Sequence, residues 1–474
     1  MNLNCCCRWL SASARFRSCI AGLSAFAVCA SAVFAASPVP TPEQLAWQRL
    51  EFIAFAHFGI NTFTDREWGD GKEEPSLFNP TDFDARQWAT VLDDAGVRLL
   101  ILTAKHHDGF CLWPSKFTGH SVKSSPWRDG RGDVVREVVE ALRERGLRVG
   151  LYLSPWDRNQ PAYGDSPRYN EYFRNQLREL LTDYGAIDEV WFDGACGEGP
   201  NGKRQEYDWP GFYAVVRQLQ PKALIAICGP DIRWVGNESG VARENESSVV
   251  ERDGQPAWHP AECDVSIRPG WFYHASEDAK VKSLPTLADI YFKSVGRNSV
   301  LLLNVPPDRR GRIADADAIR LREFGAFVRQ LNATNFAAGA AVTASSVRDS
   351  AHAEQTLLDG NLGTAWMPAE GERTGQIEFD LGQPRTFNVA RVQEDITLGE
   401  RVQAYRVEVL DGAQWRAVTT GQVIGHKQLR RFADVTAQRV RLVISQAAAP
   451  PAIAEFGLHW NPLAPAGSGA LTAH

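Results

Sequence analysis

Asp188-Glu-Val-Trp-Phe-Asp-Gly-Ala195 is a short apolar run that ends directly in a carboxylate and a glycine. In a chain that alternates strands with helices, Asp193 would lie at the carboxyl end of a barrel strand, where barrel enzymes build their active sites. An Asp that follows a strand is also an ordinary helix N-cap. The residues that accompany Asp193 decide between these two interpretations.

The chain from about residue 50 to 330 alternates strands with helices. Nearly continuous apolar strands joined by crossover helices predict a parallel sheet covered on both faces. The number of units favours an α/β fold of the (β/α)8-like (TIM-type) barrel class, and no GxGxxG motif supports a dinucleotide-binding sheet. Residues 229–285 have too little periodicity to place. The predicted strands are 52–60, 98–104, 147–154, the strand before Asp193, 223–228 and 299–305; the predicted helices are 85–95, 133–145, 168–184, 209–219, 284–295 and 315–331.

A different pattern follows Asn335, with short alternating apolar and polar runs punctuated by Gly, Asn and Asp. This pattern predicts an antiparallel β-sandwich. The predicted organisation is a signal peptide (1–35), a catalytic barrel (45–334), a sandwich (338–461) and a flexible tail (462–474). The runs that carry the sandwich prediction are 376–380, 389–394, 405–410 and 439–444.

The first 35 residues have the features of a secretory signal. Arg8, Arg15 and Arg17 form a positive start, residues 20–30 are apolar, and 33–35 offer a small-residue cleavage site. The apolar run is too short for a transmembrane helix. We therefore expect an exported protein, periplasmic or secreted, without a membrane span.

Net charge and cysteine spacing indicate which binding partners and which metal or disulfide sites the protein can have. The net charge is −6, and no basic stripe suits nucleic acid, so a neutral substrate fits better. Four of the nine cysteines follow the signal segment, and none has the CxxC spacing of a zinc site. An export compartment permits disulfides, but we expect these four to be buried as small hydrophobic residues. They are Cys111, Cys196, Cys228 and Cys263.

Other predicted strands end in the same kinds of residue as the Asp193 strand. Imidazole, phenol and indole groups gathered beside a carboxylate suit a pocket that hydrogen-bonds hydroxyls and stacks a sugar ring. A metal site on His57, His106, His107 and Asp193 is the competing interpretation. Adjacent histidines would point in different directions on a strand, and the HExxH pattern is absent. The strand-end segments are His57-Phe-Gly with Glu67-Trp68, Lys105-His106-His107-Asp108 and Tyr152-Leu-Ser-Pro-Trp156.

A second carboxylate is required, because glycoside cleavage needs an acid opposite the nucleophile. Glu238 follows Arg233-Trp-Val-Gly-Asn and precedes Ser-Gly, which suits a catalytic loop. Asp231, Glu244 and Glu246 lie in the same region, and a solvated loop glutamate is the plain alternative for Glu238.

Taken together, these motifs resemble the retaining α-L-fucosidases of glycoside hydrolase family 29, over roughly residues 45–330. The resemblance implies that Asp193 is the nucleophile. The segment ending in Glu238 resembles the subfamily that acts on α-1,3/1,4-linked fucose in branched glycans, where the matching glutamate is the acid/base. Trp271 is expected to close the pocket. The residues that the resemblance assigns to fucose binding are His57, Glu67, Trp68, His106, His107, Tyr152 and Trp191.

The C-terminal part resembles the discoidin-like (F5/8 type C) sandwiches, on the segments 357–366 and 454–458. That resemblance implies a structural calcium site with Asp359, Thr364 and Glu455 as ligands. An Asp-Gly turn beside a packed tryptophan explains the same residues without a metal.

The sequence therefore predicts an exported, retaining exo-α-L-fucosidase that removes α-1,3/1,4-linked fucose from oligosaccharides or glycoconjugates without a cofactor for the chemistry. Two other functions stay open at this point. One is a glycan-binding protein that has kept the pocket without catalysis, and the other is a metal-dependent hydrolase.

Overall fold

The computed structural model describes residues 37–463, which fold as a parallel barrel followed by an antiparallel β domain. The predicted signal segment lies outside the described residues, as do residues 464–474 of the predicted tail. Within residues 37–463, no helix has both the length and the apolar character that crossing a bilayer requires.

Eight strands form the barrel sheet. They are β1 (Phe52–Ala56), β2 (Leu99–Lys105), β3 (Arg148–Leu153), β4 (Glu189–Phe192), β5 (Leu224–Ile227), β6 (Arg233–Trp234), β9 (Ala261–Ser266) and β10 (Val300–Asn304). Around the sheet the order is β5-β4-β3-β2-β1-β10-β9-β6, and every pairing between neighbours is parallel. Cys228 after β5 forms a bridge with Arg233 of β6, which brings the two ends of the sheet together. The predicted barrel is thereby confirmed.

The helices pack outside the sheet, and their starts follow ordinary capping chemistry. Asp84, Asp133 and Asp208 each accept a backbone N–H of the first turn that follows, which satisfies a donor left unpaired by the helix. The apolar stripes of these helices are buried against the strands. The helices are α1 (Pro42–Gln48), α2 (Ile60–Thr64), α3 (Ala85–Ala95), α4 (Val134–Glu144), α5 (Ser166–Asp183), α6 (Trp209–Leu219), α7 (Leu284–Lys293) and α8 (Asp315–Ala333).

Two stretches differ from the sequence prediction. The strand predicted over 52–60 ends at Ala56, because the chain turns at Gly59 into α2 and places His57 at the strand end. The stretch 229–285, which periodicity could not place, supplies β6, β9 and a separate hairpin of β7 (Val249–Arg252) and β8 (Gln255–Trp258). Strands of two to six residues are too short to show a period.

The cysteines agree only in part with their predicted burial. Cys111 and Cys263 are buried free thiols. Cys196 and Cys228 are only half-buried, so the expectation of burial is wrong for these two, which follow the ends of β4 and β5 where the barrel opens.

The C-terminal domain is antiparallel, as predicted, and has its own apolar core. Two of its strands run for 20 residues and bend at register shifts, so each takes part in two regions of pairing. Phe379 of one such strand stacks on Phe456 with ring centroids 4.2 Å apart inside that core. The strands are β11 (Ala341–Ala344), β12 (Gly375–Glu394), β13 (Val402–Asp411), β14 (Gln414–Gly421), β15 (Gln428–Ala447) and β16 (Ile453–His459).

Buried polar contacts join the two domains beside β10. Asn298 adopts a left-handed backbone conformation with φ of 61°. Its Nδ2 donates to Glu400 Oε1 at 2.6 Å, and its Oδ1 accepts from the His426 N–H at 2.7 Å. Glu400 also accepts the Ser248 N–H at 2.8 Å. The segment that follows Glu238 is therefore anchored to the C-terminal domain.

Candidate active site

Asp193 follows β4 at the carboxyl end of the barrel, where the sequence pattern placed it. Both carboxylate oxygens are held: Oδ1 accepts the Ala195 N–H at 2.7 Å, and Oδ2 accepts the Tyr152 hydroxyl at 3.0 Å. The side chain is 21% exposed. A carboxylate that is fixed on two sides and still partly open can meet a ligand without reorganising.

Tyr152 and Trp191 form the aromatic floor beside this carboxylate. They are paired across β3 and β4, and their rings stack with centroids 5.1 Å apart. Both side chains are buried in the barrel interior. Packing fixes the phenol ring, and the ring in turn fixes the hydroxyl that bonds Asp193.

A pair of buried carboxyl groups supports Trp191 from below. The Trp191 indole donates to Glu262 Oε1 at 2.7 Å, and the Trp47 indole donates to Glu189 Oε2 at 2.8 Å. Glu189 Oε1 and Glu262 Oε2 are buried without a hydrogen-bond partner among the described residues, and the two carboxyl groups interact with each other, so a proton shared between them would satisfy both. Burial raises the pKa of Glu189 to about 7, and burial together with the neighbouring Glu189 charge raises the pKa of Glu262 well above its usual range.

His57 is held by Asn304 at the end of β10. Asn304 Nδ2 donates to Ser266 and to the Trp271 carbonyl, so its Oδ1 is the acceptor and His57 Nδ1 must donate to it, at 2.8 Å. This tautomer leaves His57 Nε2 as an acceptor for a ligand hydroxyl. Burial lowers the pKa of His57 to about 3, against the opposing effect of the Asn304 bond, so the ring is neutral.

His106 and His107 lie side by side with ring centroids 4.0 Å apart. The Ser154 hydroxyl donates to the Trp156 carbonyl and accepts from His107 Nδ1 at 2.8 Å, which leaves Nε2 as an acceptor 4.0 Å from Asp193 Oδ2. Burial lowers the pKa of His107, and burial with the nearby His107 and His57 lowers the pKa of His106 well below its usual range. Neutral imidazoles suit the recognition of uncharged hydroxyls.

Trp68 stands at the open edge of this cluster. Its ring makes edge contacts with His107 at 5.9 Å and with Trp156 at 6.2 Å between centroids. The side chain is 42% exposed, whereas the other aromatic residues of the cluster are buried or half-buried. An indole exposed beside a polar pocket offers an apolar face to a sugar ring.

Glu67 holds the loop that carries Trp271. Its carboxylate accepts the backbone N–H groups of Trp271 at 2.8 Å and Phe272 at 3.2 Å, and it bonds His274 Nε2 at 2.8 Å. The chain passes so close that a Cβ on Gly270 would lie 2.1 Å from Glu67 Oε1. Trp271 then packs on His57 with centroids 5.1 Å apart. Glu67 thus positions one wall of the pocket; direct contact of Glu67 with a ligand stays a prediction.

Glu238 lies on the loop that links β6 to the rest of the barrel. Gly240 N–H donates to the Asp264 carbonyl at 3.1 Å, and the Trp234 indole donates to Asp264 Oδ1 at 2.7 Å, so the loop is fixed on both sides of Glu238. The Glu238 side chain is exposed. Among the described residues it forms no hydrogen bond or ion pair, which leaves its carboxyl group available to a ligand.

Several residues of this cluster were not predicted as site residues. Asn304, Ser154 and His274 orient predicted ones, and Glu262 supports Trp191. Asn304 is the last residue of β10 and Ser154 directly follows β3, so the same search for polar residues at strand ends that singled out His57 could have found both. Glu262 and His274 come from the stretch without periodicity, where no local pattern marks a strand end.

The proposed metal ligands divide into two groups. Within residues 37–463, no three His, Cys, Asp or Glu side chains are grouped so that they could hold a metal ion. In the C-terminal domain, Asp359 Oδ2 accepts the Thr364 hydroxyl at 2.7 Å, and Glu455 lies close enough to Asp359 to interact electrostatically. Glu455 Oε1 is buried without a hydrogen-bond partner. The unpartnered oxygen and the all-oxygen donors suit Ca²⁺, whereas Glu455 Oε2 already pairs with Arg391 at 3.3 Å. Calcium binding at these residues stays a prediction.

Models of two protein families match the chain over most of its length. The α-L-fucosidase model matches residues 43–333, and the F5/8 type C domain model matches residues 341–456. The chain belongs to the α-L-fucosidase family. It is therefore a glycoside hydrolase of family 29 with a C-terminal F5/8 type C domain, and its substrates are fucosylated glycans.

Individual fucosidases agree with this assignment. Alpha-L-fucosidase 1 of Arabidopsis thaliana is 44% identical over 448 residues, which is 90% of this chain and 88% of that protein. A Ruminococcus gnavus family 29 fucosidase in complex with fucose superposes with a TM-score of 0.84 at 34% identity, over 90% of this chain and 96% of that one. A family 29 member from a rumen bacterium has a TM-score of 0.79 at 43% identity, over 90% and 78%.

Proposed function

We propose that this α-L-fucosidase is a retaining exo-enzyme in which Asp193 is the nucleophile and Glu238 the acid/base. The observation that carries the proposal is the position of Asp193, fixed by Tyr152 and Ala195 among three histidines whose pKa values are all lowered. A terminal fucose would place its hydroxyls against the neutral imidazoles and its apolar face against an indole. The proposed fucose-binding residues are His57, Glu67, Trp68, His106, His107, Tyr152, Trp191 and Trp271.

The reaction would proceed by double displacement. In the first step an Asp193 oxygen bonds to the anomeric carbon while Glu238 gives its proton to the departing glycosidic oxygen. In the second step Glu238, now ionised, takes a proton from water, and the water oxygen displaces Asp193 from the same carbon. Two inversions return fucose with its original α configuration. The Tyr152 hydroxyl keeps Asp193 in place throughout.

The linkage we propose is α-1,3 or α-1,4, on branched oligosaccharides. Glu238 is exposed on a loop that begins with the half-buried Trp234 and ends beside Arg243. The sugars attached to fucose would contact this loop, and that contact would bring the Glu238 carboxyl group to the glycosidic oxygen. Contacts of that kind let a remote sugar contribute to turnover as well as to affinity.

Export and calcium belong to the same proposal. Residues 1–35 carry the pattern of a secretory signal, so the enzyme would act in the periplasm or outside the cell. Ca²⁺ at Asp359, Thr364 and Glu455 would brace the C-terminal domain, and the chemistry at Asp193 would need no cofactor.

Proton NMR of fresh reaction mixtures tests the stereochemistry, since a retaining enzyme releases α-L-fucose before mutarotation, whereas early β-L-fucose contradicts the proposal. Linkage is tested by comparing α-1,2, α-1,3, α-1,4 and α-1,6 fucosyl oligosaccharides. A Lewis-type trisaccharide should exceed the linear α-1,3 disaccharide in kcat and in kcat/KM. Equal values, or a preference for α-1,2 linkages, would remove the branched-substrate proposal and leave the fucosidase assignment intact.

A further inference from the structure

A basic cleft lies at the junction of the barrel and the C-terminal domain, on a part of the chain distinct from the Asp193 pocket. It has a volume of about 450 Å³. Its barrel side is the end of α7 with Gly296 and Arg297, and its other side is β14 with the start of β15. The Leu429 N–H donates to the Gly296 carbonyl at 3.0 Å, which joins the two sides at the base.

Five cationic side chains and one acidic side chain line this cleft, in a chain whose net charge is −6. The cationic residues are Lys293, Arg297, Arg416, Arg430 and Arg431, and the acidic residue is Glu244. Several positive charges gathered in a concave site strengthen the positive electrostatic potential there, and this potential attracts anions.

The carboxylates nearby satisfy these cations only in part. Arg416 pairs with Asp411 at 3.5 Å, and both of these side chains are more than half exposed. Lys293 and Arg431 share one partner, Asp289, at 2.7 and 2.6 Å. Arg430 pairs with Glu244 at 3.2 Å, but the Glu244 side chain is 67% exposed, and exposed pairs of this kind contribute little. An anion that enters the cleft can therefore compete with Glu244 for Arg430.

Arg297 has no carboxylate partner among the residues that the structure describes. It is half-buried, and its only side-chain hydrogen bond there is Nη1 to the Ala242 carbonyl at 2.8 Å. Burial lowers the pKa of Arg297, and the charges of Arg430 and Arg431 act in the same direction, against the opposing charges of Glu244 and Asp289. A half-buried guanidinium beside two others is stabilised by an anion that fits between them.

We propose that this cleft binds an anionic group, a sulfate ester or a carboxylate, carried by a glycan. The guanidinium groups of Arg297, Arg430 and Arg431 would bind the oxyanion, and the half-buried Phe432 on the wall would contact the apolar face of a sugar ring. The choice of a glycan rests on the proposed function, because a fucosidase meets its anions on glycan chains. Binding itself depends only on the cleft.

The test uses the full-length protein and probes without fucose, which the active site cannot cleave. Isothermal titration calorimetry would compare sulfated N-acetyllactosamine, sialylated N-acetyllactosamine, neutral N-acetyllactosamine and inorganic sulfate. We expect at least one anionic glycan to bind about tenfold more tightly than the neutral one and than inorganic sulfate, and to weaken as salt rises. Tighter binding of the sulfated probe would identify a sulfate ester as the ligand group, and tighter binding of the sialylated probe would identify a carboxylate.

Two cleft variants and one matched control complete the experiment. Arg297→Gln and Arg431→Gln should each weaken binding about tenfold, the effect of one lost charge-assisted hydrogen bond. Arg439→Gln, on the same strand as Arg431 but paired with Glu378 away from the cleft, should leave affinity unchanged. Thermal unfolding checks that each variant is folded.

Equal affinity for charged and neutral glycans, binding of inorganic sulfate as tight as that of the glycans, or binding that survives both cleft variants would each overturn the proposal. None of these outcomes bears on the proposed hydrolysis, which is measured separately with an activated α-L-fucoside.

Discussion

The Tyr152 hydroxyl donates to Asp193 Oδ2 at 3.0 Å from the strand next to the one that ends in Asp193. The Tyr152 ring is fixed by its stack on Trp191, so the hydrogen bond is preorganised and does not depend on a bound ligand. One interaction therefore links the packing of the barrel interior to the orientation of the proposed nucleophile.

Tyr152→Phe removes this hydrogen bond and keeps the stacked ring. A lost hydrogen bond to a charged group corresponds to about a 10- to 100-fold fall in kcat/KM. The measurement is hydrolysis of an aryl α-L-fucoside, with thermal unfolding as the check on folding. Tyr405→Phe is the matched control, because the buried Tyr405 hydroxyl in the C-terminal domain has no hydrogen-bond partner among the described residues. Equal activity of the two variants would show that the Tyr152 hydroxyl has no role.

Glu238→Gln should affect substrates according to their leaving group. Acid catalysis raises the rate about 10²- to 10⁴-fold when the leaving oxygen needs a proton. It raises the rate little when the leaving group departs as a stable phenolate. We therefore expect kcat/KM to fall steeply for oligosaccharides and only slightly for an activated aryl fucoside. Glu251→Gln, an exposed glutamate on β7, serves as the control. Uniform loss on both substrates would argue for a structural role of Glu238.

His57→Gln tests the neutral state of the buried imidazole. The pKa of His57 is lowered to about 3 in the folded protein, against an ordinary value of 6.5. Between these two pH values the His57 imidazole binds a proton in the unfolded wild type and stays neutral in the folded wild type, so the unfolded state is stabilised as the pH falls. Wild-type stability relative to the variant should then shrink by about 1.4 kcal/mol for each pH unit between 6.5 and 3. Urea unfolding at pH 7 and pH 5 measures this difference, and a difference that stays constant would contradict it.

The carboxyl pair beneath Trp191 gives a contrast between two substitutions of Glu262. Glu262→Gln keeps an acceptor for the Trp191 indole and a donor for Glu189, so the free energy of unfolding should change by about 1 kcal/mol or less. Glu262→Leu leaves the Trp191 indole without its acceptor and leaves Glu189 with only the bond from Trp47, so it should lower the free energy of unfolding by about 3 kcal/mol. Urea unfolding compares the two, and equal effects would mean that Glu189 and Glu262 do not share a proton.

The sequence predicted the parts of the fold that have a period. Residues 85–95 and 209–219 are helices with the predicted bounds, because their apolar stripes and capping Asp residues are local signals. β6 has two residues and β9 alternates Glu262, Asp264 and Ser266 inward, a polar pattern unlike that of a buried strand. These carboxyl groups are tolerated there because indoles and a shared proton satisfy them.

The residues of the candidate site that lie at strand ends could be predicted from the sequence, and the contacts between distant segments could not. His57 and Asp193 directly follow strands and Tyr152 is the second-last residue of β3, and parallel strands bring these ends together whatever the loops do. The sequence could not indicate that Glu67 binds the backbone of Trp271 and Phe272, because that contact joins segments about 200 residues apart. Long-range pairing of this kind leaves no local pattern.

Asp193→Ala is the decisive test of whether Asp193 is the nucleophile of a retaining α-L-fucosidase. The measurement is fluoride or nitrophenol release from an activated α-L-fucoside, with and without sodium azide, followed by NMR of the product. We expect turnover to fall at least about a thousandfold in a folded protein, and azide to restore it by forming β-L-fucosyl azide in the space that the carboxylate leaves. Activity close to that of the wild type, or rescue that gives α-L-fucosyl azide, would contradict the claim.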